Sequence, residues 1–475
     1  MSSRVPDSST GGRPARPLLD LLDEGRLTPR YWALFALLGV NTVIEFYDIF
    51  VVGFLVSVVG PLWRLTFGQT STILLAAGLG QVLGALPMAW LADRIGRRAI
   101  ILLSTCLYAT AAGLIGIIPD GAWVTFAVLR FVVGVGYSGV TTAQLALLVE
   151  FSPTRYRTVI ASTVGVIAPV GVLLASASVG LLLPVLGWRG LAFIGGSPLL
   201  LALLLYIVLP ESVRWLVATG RGHAAETIVR TYVAIPDDPV ALPPPVVRAP
   251  RDTLFALLAF PDRFWLIVAV NLGLGMGAQG VALWGPTFLS LVLGQPPATA
   301  ARWFIWISIA GLGGRLLFTL VPQLIGRWRS ALICCWAGAA ILALAASFPL
   351  AFVGGLPLLF LCLLAGALFW DGGFTNLLPY GSELYPVRLS ARGAALAHAS
   401  SGMAKLGAPV VLGLVAGSRE ALSPAAARGA ITPGFLVLAG CAAIGGVALL
   451  CWRLETHGRA MVIDLPPTRQ GEPAR

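Results

Sequence analysis

Long apolar runs separated by short polar gaps fill most of the chain. Each run is close to or above the ~20 residues that a helix needs to cross the hydrocarbon core of a bilayer. The runs fall at 34–60, 72–92, 99–118, 122–149, 158–184, 190–209, 264–291, 302–322, 330–352, 355–380, 393–417 and 431–452. This pattern predicts an all-α integral membrane protein with twelve transmembrane helices.

A long polar gap at 210–262 divides the runs into six and six, and a repeated motif supports the division. Gly84 precedes Ile95-Gly96-Arg97 at the same spacing at which Gly314 precedes Ile325-Gly326-Arg327. Two six-helix bundles in pseudo-repeat place a substrate site between them near the membrane midplane. The predicted parts are a cytoplasmic N-terminal tail 1–33, an N-terminal bundle 34–209, a cytoplasmic linker 210–262, a C-terminal bundle 263–453 and a cytoplasmic C-terminal tail 454–475.

Most arginines lie in the two tails, in the linker and in every second gap between runs. Cytoplasmic loops of membrane proteins are enriched in Lys and Arg, so this distribution predicts that both termini are cytoplasmic. We expect a multi-pass protein of a bacterial plasma (inner) membrane that functions as a monomer.

Composition excludes some partners. The chain is 57% hydrophobic and 11% charged, whereas soluble proteins carry about 25% charged residues. The net charge of +11 comes from residues in the gaps and forms no basic stripe of the kind that binds nucleic acid. We therefore expect lipid and a small organic solute as partners, and no nucleic acid. All six cysteines lie in apolar runs without metal-ligand spacing, and we predict no metal and no cofactor besides protons as the coupling ion.

Four charged residues inside the runs are candidates for chemistry. Glu45 and Asp48 lie on one face of the first helix, Asp371 lies in the tenth run, and Lys405, the only lysine, lies in the eleventh. A charge at bilayer depth costs at least ~2.5–3.5 kcal/mol and usually faces a cavity or a partner. We expect Lys405 either to attract an anionic solute or to pair with Asp371, and Glu45 either to carry a second proton or to make a polar packing contact. Arg315 is expected to extend to the cytoplasmic surface.

Four motifs are candidates for family signatures, the second within the fourth run and the others at or near the ends of runs: Leu91-Ala92-Asp93-Arg94-Ile95-Gly96-Arg97-Arg98, Arg130-Phe131-Val132-Val133-Gly134-Val135-Gly136, Pro210-Glu211-Ser212-Val213-Arg214-Trp215-Leu216 and Glu383-Leu384-Tyr385-Pro386-Val387-Arg388. They resemble the signature loop, the fourth-helix motif, the sixth-helix ending and the C-terminal motif of the major facilitator superfamily, and the resemblance covers almost all of residues 30–458. The first helix, with Glu45-Phe46-Tyr47-Asp48, resembles that of metabolite and aromatic-acid proton symporters.

The resemblance implies roles for the charged residues. Asp48 matches the first-helix acid that binds the coupling proton, and Arg130 matches the fourth-helix cation that tunes it; the alternative is a permanent pair that only holds two helices together. The inner gate would be formed by the loop charges, with cations that pair with Glu150 when the inside is closed. The predicted gating residues are Asp93, Arg97, Arg98, Glu150, Arg157, Glu383 and Arg388.

Polar and aromatic residues near the buried charges are candidates for solute contact. They are Lys405, Asp371, Tyr47, Trp370, Gln279 and Trp284. The predicted function is secondary active transport, not enzymatic catalysis: proton-coupled symport of a small organic anion, a carboxylate or aromatic acid, by alternating access. The alternatives are a sugar or polyol porter, a metabolite or drug exporter, and a transporter-like sensor that binds its ligand without moving it.

Overall fold

Helices dominate the computed structural model, which describes residues 16–235, 240–241 and 254–458. The helices are α1 (Leu18–Glu24), α2 (Pro29–Leu62), α3 (Phe67–Ile95), α4 (Arg97–Ile115), α5 (Trp123–Glu150), α6 (Thr154–Ile167), α7 (Val170–Gly195), α8 (Pro198–Val208), α9 (Val213–Ala218), α10 (Gly222–Tyr232), α11 (Pro261–Leu293), α12 (Pro297–Ile325), α13 (Arg327–Ser347), α14 (Leu358–Glu383), α15 (Val387–Val415) and α16 (Pro424–Cys451). Three pairs of two-residue strands connect loops: β1 (Arg16–Pro17) with β4 (Val240–Ala241), β2 (Arg26–Leu27) with β3 (Val233–Ala234), and β5 (Phe352–Val353) with β6 (Leu356–Pro357).

The long helices make twelve membrane crossings, as the apolar runs predict. Ten helical segments in the described part are long and apolar enough to span a bilayer. One of them, Thr163–Val208, has 46 residues, about twice the length of a crossing, and turns at Gly187, where φ is 63°. It therefore makes two crossings. Helix α15, with 29 residues, packs against α3, α11 and α14 and makes the one remaining crossing, the eleventh in chain order.

Two helices, each with a proline at its first residue, start several residues before the corresponding apolar run. Pro29 starts α2 inside the predicted N-terminal tail, and Pro261 starts α11 inside the predicted linker. Proline is favoured in the first turn because its missing N–H has no partner to lose there. The first and seventh crossings are consequently longer than hydropathy alone indicates.

Close contacts between helices repeat in the two halves, 29–208 and 261–451. A Cβ added to Gly134 of α5 would lie 1.9 Å from the carbonyl oxygen of Ala77 of α3. In the second half, a Cβ on Gly314 of α12 would lie 2.3 Å from the carbonyl oxygen of Leu368 of α14. Only glycine permits such an approach, so α3–α5 and α12–α14 are equivalent tightly packed pairs of the pseudo-repeat.

We call the end of the bundle that carries the loops after α3, α5, α8, α12 and α14 the arginine-rich end, and the opposite end the closed end. At the closed end the two halves are in direct contact. The ring of Phe67 stacks on Trp284 with centroids 5.6 Å apart. The backbone N–H of Phe67 donates to the carbonyl of Glu420 at 3.0 Å, and that of Leu422 donates to the carbonyl of Leu65 at 2.8 Å. These contacts join the two halves and seal this end.

Candidate functional site

Asp48 and Arg130 form an ion pair inside the N-terminal half. Arg130 Nη1 lies 2.8 Å from Asp48 Oδ2 and also donates to the Asp48 carbonyl at 3.1 Å. The hydroxyl of Tyr137 donates to the same carboxylate oxygen. Gly195 leaves space for the acid, because a Cβ there would lie 2.9 Å from Asp48 Oδ1. Asp48 and Arg130 are 3% and 1% exposed, so this pair is enclosed within one half and has no open route to the interface between halves.

Glu45, one turn earlier on α2, has a different environment. Its Oε1 accepts a hydrogen bond from Thr141 Oγ1 at 2.9 Å. Its carboxylate also interacts electrostatically with Lys405 of the other half. Glu45 is therefore the acid of the first helix that faces a charge across the interface.

A polar network below Glu45 was not anticipated from the sequence. Asn41 Nδ2 donates to Gln144 Oε1 at 2.9 Å, and Tyr108 Oη donates to Asn41 Oδ1 at 3.0 Å. Gln144 Nε2 in turn donates to Thr42 Oγ1 at 2.7 Å. The signal was available in the sequence, since Asn41, Glu45 and Asp48 share one face of α2. The network fixes this face of α2 against α4 and α5.

Lys405 does not pair with Asp371, and that alternative from the sequence is wrong. Its ammonium donates to Gln81 Oε1 of α3 at 3.0 Å, across the two halves. A Cβ added to Gly78, one turn before Gln81, would lie 3.3 Å from Lys405 Cβ, so α3 and α15 approach closely there. Lys405 is thus held at the interface by a neutral side chain, and Glu45 interacts with it electrostatically.

Asp371 pairs with Arg315 instead. Arg315 Nη2 and Nε lie 3.1 and 3.2 Å from Asp371 Oδ1. The reason is helix adjacency: α14 packs closely on α12, and Gly311 of α12 leaves room for the carboxylate, since a Cβ there would lie 2.6 Å from Asp371 Oδ2. The expectation that Arg315 extends to the membrane surface is also wrong, because its Nη1 donates to the carbonyl of Gly165 in the other half at 2.8 Å.

Three predicted aromatic contacts are packed away from the interface space. Trp370 is 2% exposed and lies over Gly338 and Gly366, where an added Cβ would come within 2.7 and 2.3 Å of its ring. Trp284 is fully buried and stacks on Phe67 at the closed end. Tyr47 is 5% exposed, and its hydroxyl accepts from Ser178 Oγ at 3.3 Å. In this conformation these rings serve packing, so their assignment to a solute site is not supported by their surroundings.

Gln279 fits the interface better than the aromatic residues do. It lies one turn after Gly275, which packs on Ala404 of α15, and one turn before Leu283, whose carbonyl contacts Gly53 of α2. Residues three or four apart share a helix face, so Gln279 is directed at α2 and α15. Its Oε1 is buried without a hydrogen-bond partner among the described residues, which leaves an acceptor available between the halves.

The predicted gating charges of the N-terminal half form a network within that half. Arg97 Nη2 lies 2.9 Å from Glu150 Oε1. Glu211 Oε1 accepts from the backbone N–H groups of Arg97 and Arg98 at 2.8 and 3.2 Å and so caps α4. Arg157 pairs with Asp23 at 3.1 Å. The Arg97–Glu150 pair joins α4 and α5 and not the two halves, so it does not itself close the arginine-rich end.

The C-terminal half repeats this arrangement. Arg327 Nε lies 2.6 Å from Glu383 Oε2, and Glu455 Oε1 accepts from the backbone N–H of Arg327 at 2.9 Å. Gly96 and Gly326 begin the capped helices with φ of 96° and 91°, a region that glycine adopts without strain. Among the other gating candidates, Asp93 is exposed at the end of α3, and the side chain of Arg388 lies outside the described part.

The described interface combines opposite charges with neutral polar groups. It presents one ammonium (Lys405), one carboxylate (Glu45), a hydroxyl (Thr141) and two amides (Gln81 and Gln279). The described residues contain no cluster of three or more groups that could hold a metal ion. The groups present interact with other molecules through charge and hydrogen bonds.

Comparisons with known proteins give a consistent family. The family model described as Major Facilitator Superfamily matches residues 38–409. The chain is 24% identical over 387 residues to the niacin transporter NiaP of Acinetobacter baylyi, covering 80% of this chain and 86% of that protein. It is 26% identical over 218 residues to the benzoate transport protein of the same organism, with 45% and 46% covered, and 28% identical over 221 residues to the 4-hydroxybenzoate transporter PcaK of Pseudomonas aeruginosa, with 46% and 48% covered. The chain thus spans about half the length of these last two relatives.

Solved structures with the same fold include two bacterial transporters. A bacterial homologue of the human lysosomal transporter Spinster, inward-facing and occupied, superimposes with a TM-score of 0.68 at 14% identity, covering 89% of this chain and 97% of that one. The xylose transporter XylE from E. coli, partially occluded and inward open, gives 0.65 at 17% identity, with 91% and 100% covered. At these identities the likeness concerns the fold alone.

Proposed function

Because the chain belongs to the major facilitator superfamily and is a multi-pass membrane transporter, we propose that it carries a small organic anion together with a proton by alternating access. The observation that carries the proposal is the hydrogen bond of the Lys405 ammonium to Gln81 Oε1 at 3.0 Å across the two halves, with the electrostatic interaction of Lys405 with Glu45 beside it. A cation at that place attracts a carboxylate, and an acid beside it can bind the accompanying proton. Niacin, benzoate and 4-hydroxybenzoate, named for three relatives, are aromatic acids of this kind.

Coupling follows from competition for one ammonium. With no solute bound, Lys405 favours the ionised form of Glu45. A solute carboxylate that contacts Lys405 adds a second negative charge, and Glu45, 4% exposed, then favours its protonated form because two carboxylates so placed repel. Solute and proton therefore bind together. Asp48, the coupling acid that the resemblance implies, is enclosed with Arg130 and Tyr137. We propose it as a second proton carrier beside Glu45, and proton release from it would require α2 and α5 to separate.

Gln81 gives the site a mechanical role as well. Its bond to Lys405 crosses the halves, and a carboxylate that takes over the ammonium frees Gln81. Solute binding at this point changes how the halves are held together, which alternating access requires. In this proposal Gln279, whose Oε1 has no hydrogen-bond partner among the described residues, accepts a hydrogen bond from a protonated group on the solute.

Orientation and assembly complete the proposal. The arginine-rich end is assigned to the cytoplasm by the positive-inside rule, so the closed end faces outward. We assign the protein to the bacterial inner membrane, with cytoplasmic termini and a monomeric functional unit.

Uptake by proteoliposomes tests the proposal. Labelled benzoate, nicotinate, 4-hydroxybenzoate and xylose are offered with and without an inward proton gradient, to the wild type, Lys405→Ala and Glu45→Gln. We expect gradient-dependent accumulation of at least one carboxylate. Lys405→Ala removes one charged hydrogen bond, about 1.5–3 kcal/mol, so affinity should fall on the order of 10- to 100-fold. Glu45→Gln should abolish gradient-driven accumulation and retain solute exchange.

Glu226→Gln is the matched control, because Glu226 lies on α10, outside the membrane crossings, and pairs with Arg230 of the same helix at 3.0 Å. It should transport as the wild type does. Accumulation that ignores the gradient would reject symport. Xylose uptake that survives Lys405→Ala, with no carboxylate moved, would establish the sugar-porter alternative.

A further inference from the structure

Pro169 leaves a backbone carbonyl without its helical partner at the arginine-rich end. In a helix, the carbonyl of residue i accepts from the N–H of residue i+4, and proline has no N–H. Pro169 stands four residues after Gly165, at the junction of α6 and α7. Arg315 of α12, in the other half, donates from Nη1 to this Gly165 carbonyl at 2.8 Å. The Gly165 carbonyl has no i+4 donor in its own helix and thus accepts a hydrogen bond from an arginine of the other half.

The same arrangement occurs towards the closed end. Pro184 stands four residues after Gly180 within α7, so the Gly180 carbonyl also lacks an i+4 donor. Arg302 of α12 donates to it from Nε at 3.1 Å. Gly180 permits the approach, since a Cβ there would lie 3.0 Å from Arg302 Cγ. Both donors belong to one helix of the C-terminal half, and both acceptors to one crossing of the N-terminal half.

The spacing of donors and acceptors matches. At 1.5 Å rise per residue, Arg302 and Arg315 are about 20 Å apart along α12, and Gly165 and Gly180 about 22 Å apart along α6–α7. Each bond must break when the halves separate at its own end. A freed carbonyl within the bilayer costs free energy unless another donor reaches it, so each arginine favours closure of its end.

Asp371 keeps the second arginine in position. The carboxylate binds Nε and Nη2 of Arg315 and leaves Nη1 to point at the Gly165 carbonyl. The Arg315–Asp371 pair lies within one half and so moves as a unit, whereas the bond to Gly165 joins the halves.

We propose that Arg302 and Arg315 are gate clasps, which hold the closed end and the arginine-rich end shut by binding the proline-freed carbonyls of Gly180 and Gly165, and which release in alternation during transport. The inference rests on alternating access by this transporter. It does not depend on which solute moves or on proton coupling.

Distances between spin labels in nanodiscs, measured without solute, test the clasp at the arginine-rich end. Labels at the exposed positions Val159 of α6 and Leu320 of α12, in a background without native cysteines, report its width. Arg315→Met should shift the distribution towards longer distances, raising the ratio of open to closed populations about tenfold. Pro169→Ala restores an N–H to the helix, so in that background Arg315→Met should have a clearly smaller effect.

Arg428→Met is the matched control. Arg428 Nε donates to the carbonyl of Val292 at 3.1 Å, a carbonyl also followed four residues later by a proline, but both residues belong to the C-terminal half. This substitution should leave the label distances unchanged. Arg302→Met should give the opposite shift to Arg315→Met, towards shorter distances at the arginine-rich end.

Two results would overturn the proposal: an unchanged distribution in Arg315→Met, or a shift of the same size with and without Pro169→Ala. If Pro169→Ala does not fold, Arg315→Lys replaces it, because lysine keeps the charge for Asp371 and should retain only part of the bond to Gly165. An intermediate shift supports the clasp, and a shift equal to that of Arg315→Met refutes it. The spin-label distances are measured without solute, so they can be interpreted even if the protein takes up no carboxylate. The clasp proposal and the proposed transport function can therefore be refuted independently.

Discussion

The buried pair of Asp48 and Arg130 gives the most quantitative test of the site. Both side chains are almost fully enclosed, and Arg130 Nη1 lies 2.8 Å from Asp48 Oδ2. Arg130→Met keeps the volume and removes the charge, so Asp48 retains only the hydroxyl of Tyr137 as a donor. Breaking a buried pair in this way costs about 3–5 kcal/mol. For a folding unit the size of one six-helix half, this corresponds to a fall in Tm on the order of 10 °C.

The double variant Asp48→Asn/Arg130→Met separates pairing from simple loss of packing. Replacing both members of a buried pair is often close to neutral, and an asparagine oxygen can still accept from Tyr137. We therefore expect the double variant to melt well above Arg130→Met. The assay is thermal unfolding in detergent, followed by intrinsic tryptophan fluorescence.

Arg189→Met is the control for this cycle. Arg189 pairs with Asp120 at 2.9 Å, but their side chains are 39% and 65% exposed, and exposed pairs contribute about 0–1 kcal/mol. If Arg130→Met melts no lower than Arg189→Met, or if the double variant shows the sum of two single losses, the enclosed pair is not the stabilising unit described.

Three further outcomes follow from packing, capping and a loop carboxylate. Gly134→Ala should lower the stability of the N-terminal half by about 1–3 kcal/mol, as overpacking does, whereas Gly440→Ala, with open space around the added Cβ, should lose nothing; equal melting temperatures would contradict this. Glu211→Ala should cost about 1–3 kcal/mol, because backbone donors of α4 lose their acceptor, while Glu211→Gln keeps an acceptor and should lose less; thermal unfolding of both variants distinguishes the two effects. Hydrogen bonds from Arg189 and Trp63 lower the pKa of Asp120, so its ionised form stabilises the fold above the ordinary aspartate pKa of about 3.9, and this contribution is lost as pH falls through the lowered value. The difference in Tm between wild type and Asp120→Asn should accordingly disappear at acidic pH, and a difference that persists there would refute the assignment.

Much of the fold and part of the site could be predicted from the sequence, for physical reasons. A bilayer demands apolar runs of a set length, so the crossings are visible in the chain, and the repeated Ile-Gly-Arg triplets mark equivalent helix starts at Gly96 and Gly326. The contact of Arg130 with Asp48 was expected from the motif in which each stands.

The partners of Asp371 and Lys405 could not be predicted in the same way. Gln81, Arg315 and Lys405 all lie within apolar runs. Periodicity gives the depth of each residue and the helix face on which it lies, but it does not give the neighbouring helix that this face contacts. Asp371 meets Arg315 because Gly311 opens space on α12, and Lys405 meets Gln81 because Gly78 lets α3 approach α15. The two prolines that free carbonyls were readable from the sequence, but the arginines that fill those positions depend on how the halves pack.

The caps on α4 and α13 have a consequence for how the protein is made. Glu211 follows α8 and Glu455 follows α16, yet they cap helices that begin the third and ninth crossings. During synthesis the first N–H groups of each of these helices therefore have water as their partner until the last crossing of its half has been inserted and brings the carboxylate. The cap can form only after all six crossings of its half have been made. Each six-helix half thus contains both the helix start and the carboxylate that caps it. A chain cut between the halves would still have one complete cap on each fragment.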